Sequence, residues 1–429
     1  DRRPGSKRGG TGCTDAGADE DHAVDTGDAH AMRLVHISDI HLGFRQYQRQ
    51  TPAGINQREA DVATSLRRVI DVVIELRPDL VLIAGDVFHT VRPTNPAILH
   101  AFLQFSRLVQ MLPDTTVVMV AGNHDTPRTA ETGCILRLFS PLGITVVEGD
   151  AKRITFHERD LSILAVPDMA QGRPRLEPDP TAKYNVLLLH GEIEGVLPKY
   201  GRELDRSPME ITLEELGAQR WDYVALGHYH VYRPVAENAF YSGSLDYTST
   251  NPWGELIEER ESGNGGKGII EHDLATKRHK FHAIPPERRW VDLAPLSGAG
   301  LSPASLDEAI RDALDNCEGG IDEKIVRLVV RDVPRHILRE LDHRALREYK
   351  RRALHFHLDT RRPEIVRPDK GQAAPGRRAS LADTVRDKLR SRLLTENIDR
   401  EALVELGLHY LREADLVAGS AAEEVGGAA

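Results

Sequence analysis

The sequence predicts a layered α/β domain followed by a smaller α+β domain. Three observations carry that expectation. Short β-branched and leucine-rich runs alternate with amphipathic helical stretches from Arg33 to about Ile284, five of those runs end in a block of Asp, Asn, Gly and His, and the character of the chain changes after Pro285-Pro286. The five runs are Leu34 to Ile37, Leu80 to Ala84, Val117 to Ala121, Val186 to Leu189 and Tyr223 to Leu226, and they read as buried parallel strands. The blocks behind them are Asp39-Ile40-His41, Gly85-Asp86-Val87-Phe88-His89, Gly122-Asn123-His124-Asp125, His190-Gly191 and Gly227-His228-Tyr229-His230. Sites assemble at the carboxyl ends of strands in open α/β sheets, so the blocks are expected to meet at one sheet edge as a shared metal centre.

The first helix is predicted over Arg58 to Leu76, where Val62, Leu66, Val69, Val73 and Leu76 recur at spacings of three and four and the pattern stops before Pro78. Pro96 to Leu112 supplies the second. Thr212 and Glu215 have the form of a capping box opening a short helix that ends near Gly217. Glu261 to Lys267 reads as a hairpin turn between late strands. In the second domain, Trp290 to Leu293, Ile325 to Val330 and Leu354 to Leu358 read as strands around two helices, one from Ser302-Pro303 to near Asn316 and one over Arg335 to Arg352. Arg361 to Ser380 has the Pro, Arg, Gly and Ala content of a linker. Beyond it, Leu381, Val385, Leu389 and Leu393 have helical spacing, as do Leu403, Leu406, Tyr410 and Leu411, with Gly407 weakening the second helix.

The layout expected is therefore an unstructured extension over 1–31, a catalytic domain over 32–285, a small capping domain over 286–360, a linker over 361–380, a helical segment over 381–414 and an unstructured tail over 415–429. Residues 1–31 lack apolar periodicity and Met32 directly precedes the first strand, so Met32 is the expected natural start. Acidic residues outnumber basic ones, 66 to 56, which makes the whole chain no polycation, although residues 331–400 hold 19 Lys and Arg against 11 Asp and Glu. Apolar runs all fall short of the roughly 18 residues a membrane span needs, and a cytoplasmic protein is expected. Cys13, Cys134 and Cys317 are far apart and suit neither a disulfide framework nor a zinc ribbon.

Asp39 and His41 are two apart, as are His228 and His230, and in extended backbone each pair points to one side. Asp86, with two carboxylate oxygens at the end of the second strand, is the candidate bridge between two cations about 3.5–4 Å apart. Asn123 offers a neutral oxygen and His190 another imidazole. The donors, Asp39, His41, Asp86, Asn123, His190, His228 and His230, mix oxygen and nitrogen and suit two divalent transition ions. Gly85, Gly122 and Gly227 precede ligands where a sharp turn or close approach suits a residue without Cβ. His36, inside the first strand, reads as a hydrogen-bonded core residue, and Asp125 as a carboxylate that orients His124 or caps the next segment.

Taken in order, Asp-x-His, Gly-Asp-x-x-His, Gly-Asn-His-Asp, His and Gly-His-x-His resemble the calcineurin-like metallophosphoesterases over roughly residues 33–285. Within them, His36 to Gly43, the Gly-Asp-Val-Phe-His block and Tyr241-Ser242-Gly243-Ser244 are similar to the SbcD-type DNA double-strand-break repair nucleases. The resemblance implies a β-sandwich flanked by helices, with a small α+β capping domain and C-terminal helices. It assigns one metal to Asp39, His41, Asp86 and His230 and a second to Asp86, Asn123, His190 and His228. It further implies that the ions generate hydroxide for in-line attack on phosphorus, that His124 stabilises the transition state or protonates the departing sugar oxygen, and that His89 assists or positions the strand. Manganese is the expected ion, with iron or zinc as alternatives.

By the same resemblance the chain is a homodimeric exonuclease or endonuclease acting on DNA ends near the nucleoid, with an SbcC-type coiled-coil ATPase bound through 381–414. Arg45, Arg49, Arg58, Arg92, Arg128, Lys199 and Arg202 are candidate phosphate contacts. The alternatives are a phosphodiesterase for cyclic nucleotides or other small phosphates, and a DNA-end tether for the ATPase with a vestigial nuclease site.

Overall fold

A computed structural model describes residues 32–127, 133–168, 172–196, 207, 209–263, 265–363, 381–391 and 399–411. The predicted segment 1–31, the tail 415–429, most of the linker, and Arg128, Lys199, Arg202 and Leu393 lie outside the described residues. The chain divides into two compact units, residues 1–362 and 363–429.

The first unit opens with β1 (Arg33–Ile37), α1 (Gln57–Leu76), β2 (Leu80–Ile83), α2 (Asn95–Met111), β3 (Thr116–Val120) and β4 (Thr145–Val147). Asn56 and Thr94 cap the two helices through their side chains, and Pro96 sits in the first turn of α2, where its missing N–H costs nothing. There follow β5 (Lys152–Phe156), β6 (Leu161–Val166), β7 (Tyr184–His190), the short β8 (Glu192–Ile193) and β9 (Glu210–Ile211), α3 (Leu213–Leu216), β10 (Tyr223–Gly227), β11 (Arg233–Ala236) and β12 (Ala239–Tyr241). Thr212 and Glu215 form the expected capping box. The domain closes with α4 (Pro252–Ser262), β13 (Gly268–Asp273) and β14 (His279–Ala283).

These strands make two six-stranded sheets, ordered β14-β13-β1-β2-β3-β4 and β11-β12-β10-β7-β6-β5. The expectation of a single sheet edge is thereby corrected: β1, β2 and β3 run parallel in one sheet, and β7 and β10 run parallel in the other. Alternate residues explain the pairing of sheets. Leu34, Leu80, Leu82, Val118 and Val120 face Leu161, Ile163, Val186, Leu188 and Tyr223 across the middle, while Val35, Ile37, Val81 and Met119 face α1 and α2. Both faces of the strands are buried, which is why their sequences read as continuous apolar runs.

The stretch Glu261 to Lys267 is not a hairpin turn: it ends α4, whose C-cap is Gly263, and leads into β13. The hairpin lies later, where Asp273 and Arg278 close the turn between β13 and β14. From residue 290 the chain adds β15 (Trp290–Asp292), β16 (Leu296–Ser297), α5 (Pro303–Asp315), β17 (Ile325–Arg331), α6 (Arg335–Glu340), α7 (His343–Arg352) and β18 (His355–Thr360). Their four strands form a separate sheet with its own core of Leu306, Ile310, Val326, Leu328 and Phe356. Arg335 to Arg352 is two helices rather than one. The break falls at Leu341-Asp342, where Asp342 turns its side chain onto the N–H groups of Arg344 and Ala345 and starts a new helix.

In the second unit, α8 (Leu381–Ser391) is joined by a helix over 400–411, here α9. Gly407 lies against Leu389, whose side chain a Cβ at 407 would meet at 2.5 Å, so the residue that lowers helix propensity is the one that lets the helices approach. The apolar face expected from Leu403, Leu406, Tyr410 and Leu411 is split: Val404 is buried, while Leu406 and Tyr410 are exposed. No helix among the described residues is long and apolar enough to cross a membrane.

Candidate metal centre

The carboxyl ends of the two sheets bring all five polar blocks together. The backbone N–H of His41 donates to Asp86 O at 2.9 Å and that of His228 to Asp39 Oδ1 at 3.0 Å, so the loops after β1 and β2 pair with each other and the loop after β10 crosses over from the second sheet. Nε2 of His41 and Nε2 of His230 lie 3.0 Å apart, and Asn123 Oδ1 lies 3.0 Å from His190 Nε2 and 3.2 Å from His228 Nδ1. Three groups result among the described residues, Asp39 with His41 and His230, Asp86 with His190 and His228, and His41 with His89 and His124, each with candidate ligand atoms within 4.8 Å of one another; the first two are the clusters that contain a carboxylate. Asp86 reaches both: its Oδ2 is 3.7 Å from His41 Nε2 and 3.5 Å from His190 Nε2.

This donor set fits divalent cations. Imidazole nitrogens converge with a shared carboxylate oxygen and an amide oxygen, the mixed nitrogen and oxygen donors that divalent transition ions take. The backbone carries strain at the same places. Of ten non-glycine residues with positive φ among the described residues, four are Asp39, His41, Asp86 and His228, and such conformations cost about 1–3 kcal/mol each and persist where the surroundings over-determine them. Gly122 is required for a different reason: a Cβ there would run into the Asp86 carboxylate and backbone N.

Burial sets the electrostatics. It holds His41 well below the ordinary imidazole range, an effect deepened by His230, His124 and His89, and it lowers His190 to about 4. Both rings are therefore neutral, the form a cation requires. Burial also raises Asp86. For His228 burial acts downward but is outweighed by Glu192, Asp86 and Asp39, and the net shift is upward.

His89 and His124 stand beside the first cluster. Their rings stack at 5.2 Å and each meets His41 edge-on. The His124 backbone N–H donates to Asp86 Oδ1 at 2.9 Å, and its ring Nδ1 lies 2.7 Å from His89 O. A carbonyl can only accept, so Nδ1 carries the proton.

Asp125 bonds to neighbouring loops rather than to the His124 ring, and the segment it was expected to cap lies largely outside the described residues. Fully buried, it accepts from the N–H groups of Val87, Phe88 and Gly122, tying the loops after β2 and β3 together; burial and the Asp86 charge raise it to about 7. His36 does hydrogen bond in the core, with Nδ1 3.1 Å from Tyr223 Oη. Arg58 is corrected outright as a phosphate contact: it has no exposed surface and pairs with Asp246 at 2.6 Å and Asp61 at 3.2 Å. Arg45 pairs with Glu59, and Arg49 with Glu323 across to the third sheet. Arg92 remains exposed.

Sequence reasoning missed the carboxylates behind the imidazoles. Glu192 Oε1 lies 3.2 Å from His228 Nε2, and Glu255 Oε1 lies 3.5 Å from His230 Nδ1. Glu192, two residues after His190, had a same-side spacing that could have flagged it. Glu255 lies in an ordinary helical stretch and had no local signal. Ser38 was also missed; its hydroxyl donates to Asp39 Oδ2 at 2.6 Å.

Residues 32–232 match the family described as calcineurin-like phosphoesterase. The chain is similar to the DNA double-strand break repair protein Mre11 of Methanocaldococcus jannaschii, 28% identical over 260 residues that make up 57% of this chain and 63% of that protein. It is also similar to the proteins of the same name from Sulfurisphaera tokodaii, 30% identical over 47% of this chain and 49% of the relative, and from Thermoplasma acidophilum, 25% identical over 59% and 67%. The chain thus spans about half to two thirds of the length of these relatives.

Proposed function

Because residues 32–232 belong to the calcineurin-like metallophosphoesterases, we propose that the chain is a metal-dependent phosphodiesterase that cleaves DNA ends in double-strand-break repair. The observation that supports this most is the convergence of seven oxygen and nitrogen donors from the ends of two sheets, with Asp86 within 4 Å of both histidine clusters. The names of the similar archaeal proteins point to DNA as the substrate.

In this reading Asp39, His41, Asp86 and His230 hold one divalent ion and Asp86, Asn123, His190 and His228 the other. Bound there, two such ions would lower the pKa of a shared water and neutralise charge on the phosphate. The protein supplies no nucleophile of its own. Its contribution is positional: Asp125 fixes the loops that present Asp86 and Asn123, and Ser38 with the His228 N–H fixes both oxygens of Asp39. His124, with Nδ1 committed to His89 O, takes a further proton on Nε2 and delivers it to the departing sugar oxygen. His89 stacks on that ring and sets its plane. Manganese is the expected ion, and iron or zinc would suit the same donors.

The working protein would be a homodimer, a reading supported by the apolar residues Leu99, Leu103 and Met111 that α2 exposes. Residues 381–414 would carry a coiled-coil ATPase of the SbcC type, for which Leu406 and Tyr410 offer apolar contact. Residues 286–360 would serve as a cap over the substrate. Digestion of linear duplex DNA with manganese, beside a small phosphodiester, tests the assignment: cleavage of both is expected. Cleavage of the small ester with intact DNA, even with the ATPase added, would exclude DNA as the substrate.

A further inference from the structure

We propose that Glu255, locked in place by Lys267, is a positioning residue that fixes the ring of His230 for cation binding. The inference rests on the reading of His230 as a ligand. Nε2 of His230 faces His41 Nε2 at 3.0 Å and is the nitrogen turned into the centre, so Nδ1 carries the proton. That Nδ1 is buried 3.5 Å from Glu255 Oε1, and neither atom has a hydrogen-bond partner among the described residues. Two orphaned buried polar atoms of complementary character thus face each other, one small ring rotation from a hydrogen bond.

Lys267 sets the separation. Its ammonium, 1% exposed, binds Glu255 Oε2, lies 3.0 Å from Glu259 Oε1 and donates to the backbone O of His230 at 2.8 Å. One cation therefore grips both the glutamate and the main chain of the histidine it faces. The other oxygen of Glu259, Oε2, accepts from Tyr247 Oη at 2.5 Å. Lys267 is shared between two glutamates, and the polarised Nδ1–H of a cation-bound His230 is the further donor that Glu255 Oε1 faces. The partner histidine has the same backing, since Glu192 lies behind His228. Carboxylates placed so fix ring orientation and raise ligand basicity.

The test is manganese binding to the purified full chain by isothermal titration calorimetry, with metal-free thermal denaturation of each variant alongside. Glu255→Gln keeps an acceptor without its charge, Glu255→Leu removes both, and Glu259→Gln alters the same buried cluster without facing His230. The expected result is one manganese site weakened roughly 10–100-fold by Glu255→Leu, less by Glu255→Gln, with Glu259→Gln close to wild type. Equal affinity in wild type and both Glu255 variants, or an equal loss in Glu259→Gln, would overturn the inference while leaving the metal centre standing. A wild-type chain that binds no manganese would overturn both. Should Glu255→Leu fail to fold, the comparison of the two Gln variants decides.

Discussion

The backbone N–H of His124 donates to Asp86 Oδ1 at 2.9 Å, which separates what the residue does for the metal centre from what its ring does. Replacing His124 by Ala keeps the N–H and removes the imidazole. Manganese affinity should stay within about threefold of wild type, while turnover on linear DNA falls by roughly 10²–10⁴-fold, the usual contribution of a positioned general acid. Calorimetry and single-turnover digestion measure the two effects separately; parallel loss of both would assign the ring to the metal instead.

Arg58 is a second residue whose role the fold reverses. It joins α1 to Asp246 and lies 5.5 Å from the Trp290 ring, so it links the two large sheets' domain to the sheet that follows. Arg58→Ala strands Asp246 in the interior, while Asp61 keeps Arg288 at 3.2 Å, and should cost about 3–5 kcal/mol in urea denaturation, since one partner of a buried pair is left uncompensated. A loss below about 1 kcal/mol, with weakened DNA binding, would restore it as a phosphate contact.

Acid should destabilise the fold through histidines buried between the sheets. Burial lowers His36 to about 3 and His272 to about 4, and neither ring nitrogen of His272 has a hydrogen-bond partner among the described residues. The folded values lie below the ordinary imidazole value of 6.5, so the unfolded chain binds more protons between them. Stability is full above pH 6.5 and falls as pH drops toward 4. His272→Phe should flatten that limb by about one proton, or about 1.4 kcal/mol per pH unit, in denaturation midpoints taken across the range. An unchanged slope would place the sensitivity elsewhere.

The α2 surface makes a prediction about assembly. Leu99, Leu103 and Met111 are 60%, 54% and 58% exposed along one helix. Leu103→Glu should convert a dimer to monomer in sedimentation equilibrium, with the metal-binding isotherm unchanged. A dimer that persists would move the interface away from α2.

The five strands, the two long helices and the convergence of the polar blocks were legible because their signals are local: apolar runs, periodicity, and Asp, Asn and His placed at strand ends. What escaped was non-local. Apolar runs buried on both faces do not say to which sheet they belong, so β7 and β10 were not separable from β1, β2 and β3 by residue pattern alone. Glu255 lies on α4 and Lys267, twelve residues on, just before β13, and only the packing of α4 brings them behind His230. Arg58 looks like any loop-proximal arginine until Asp246, distant in sequence, is folded against it.

In the proposed centre Asp86 lies between two cations. Crystals soaked in manganese and measured at its absorption edge test it directly. Two anomalous peaks about 3.5–4 Å apart are expected, one beside His41 and His230 and the other beside His190 and His228, with Asp86 between them. A single peak, or peaks that do not share Asp86, would contradict it.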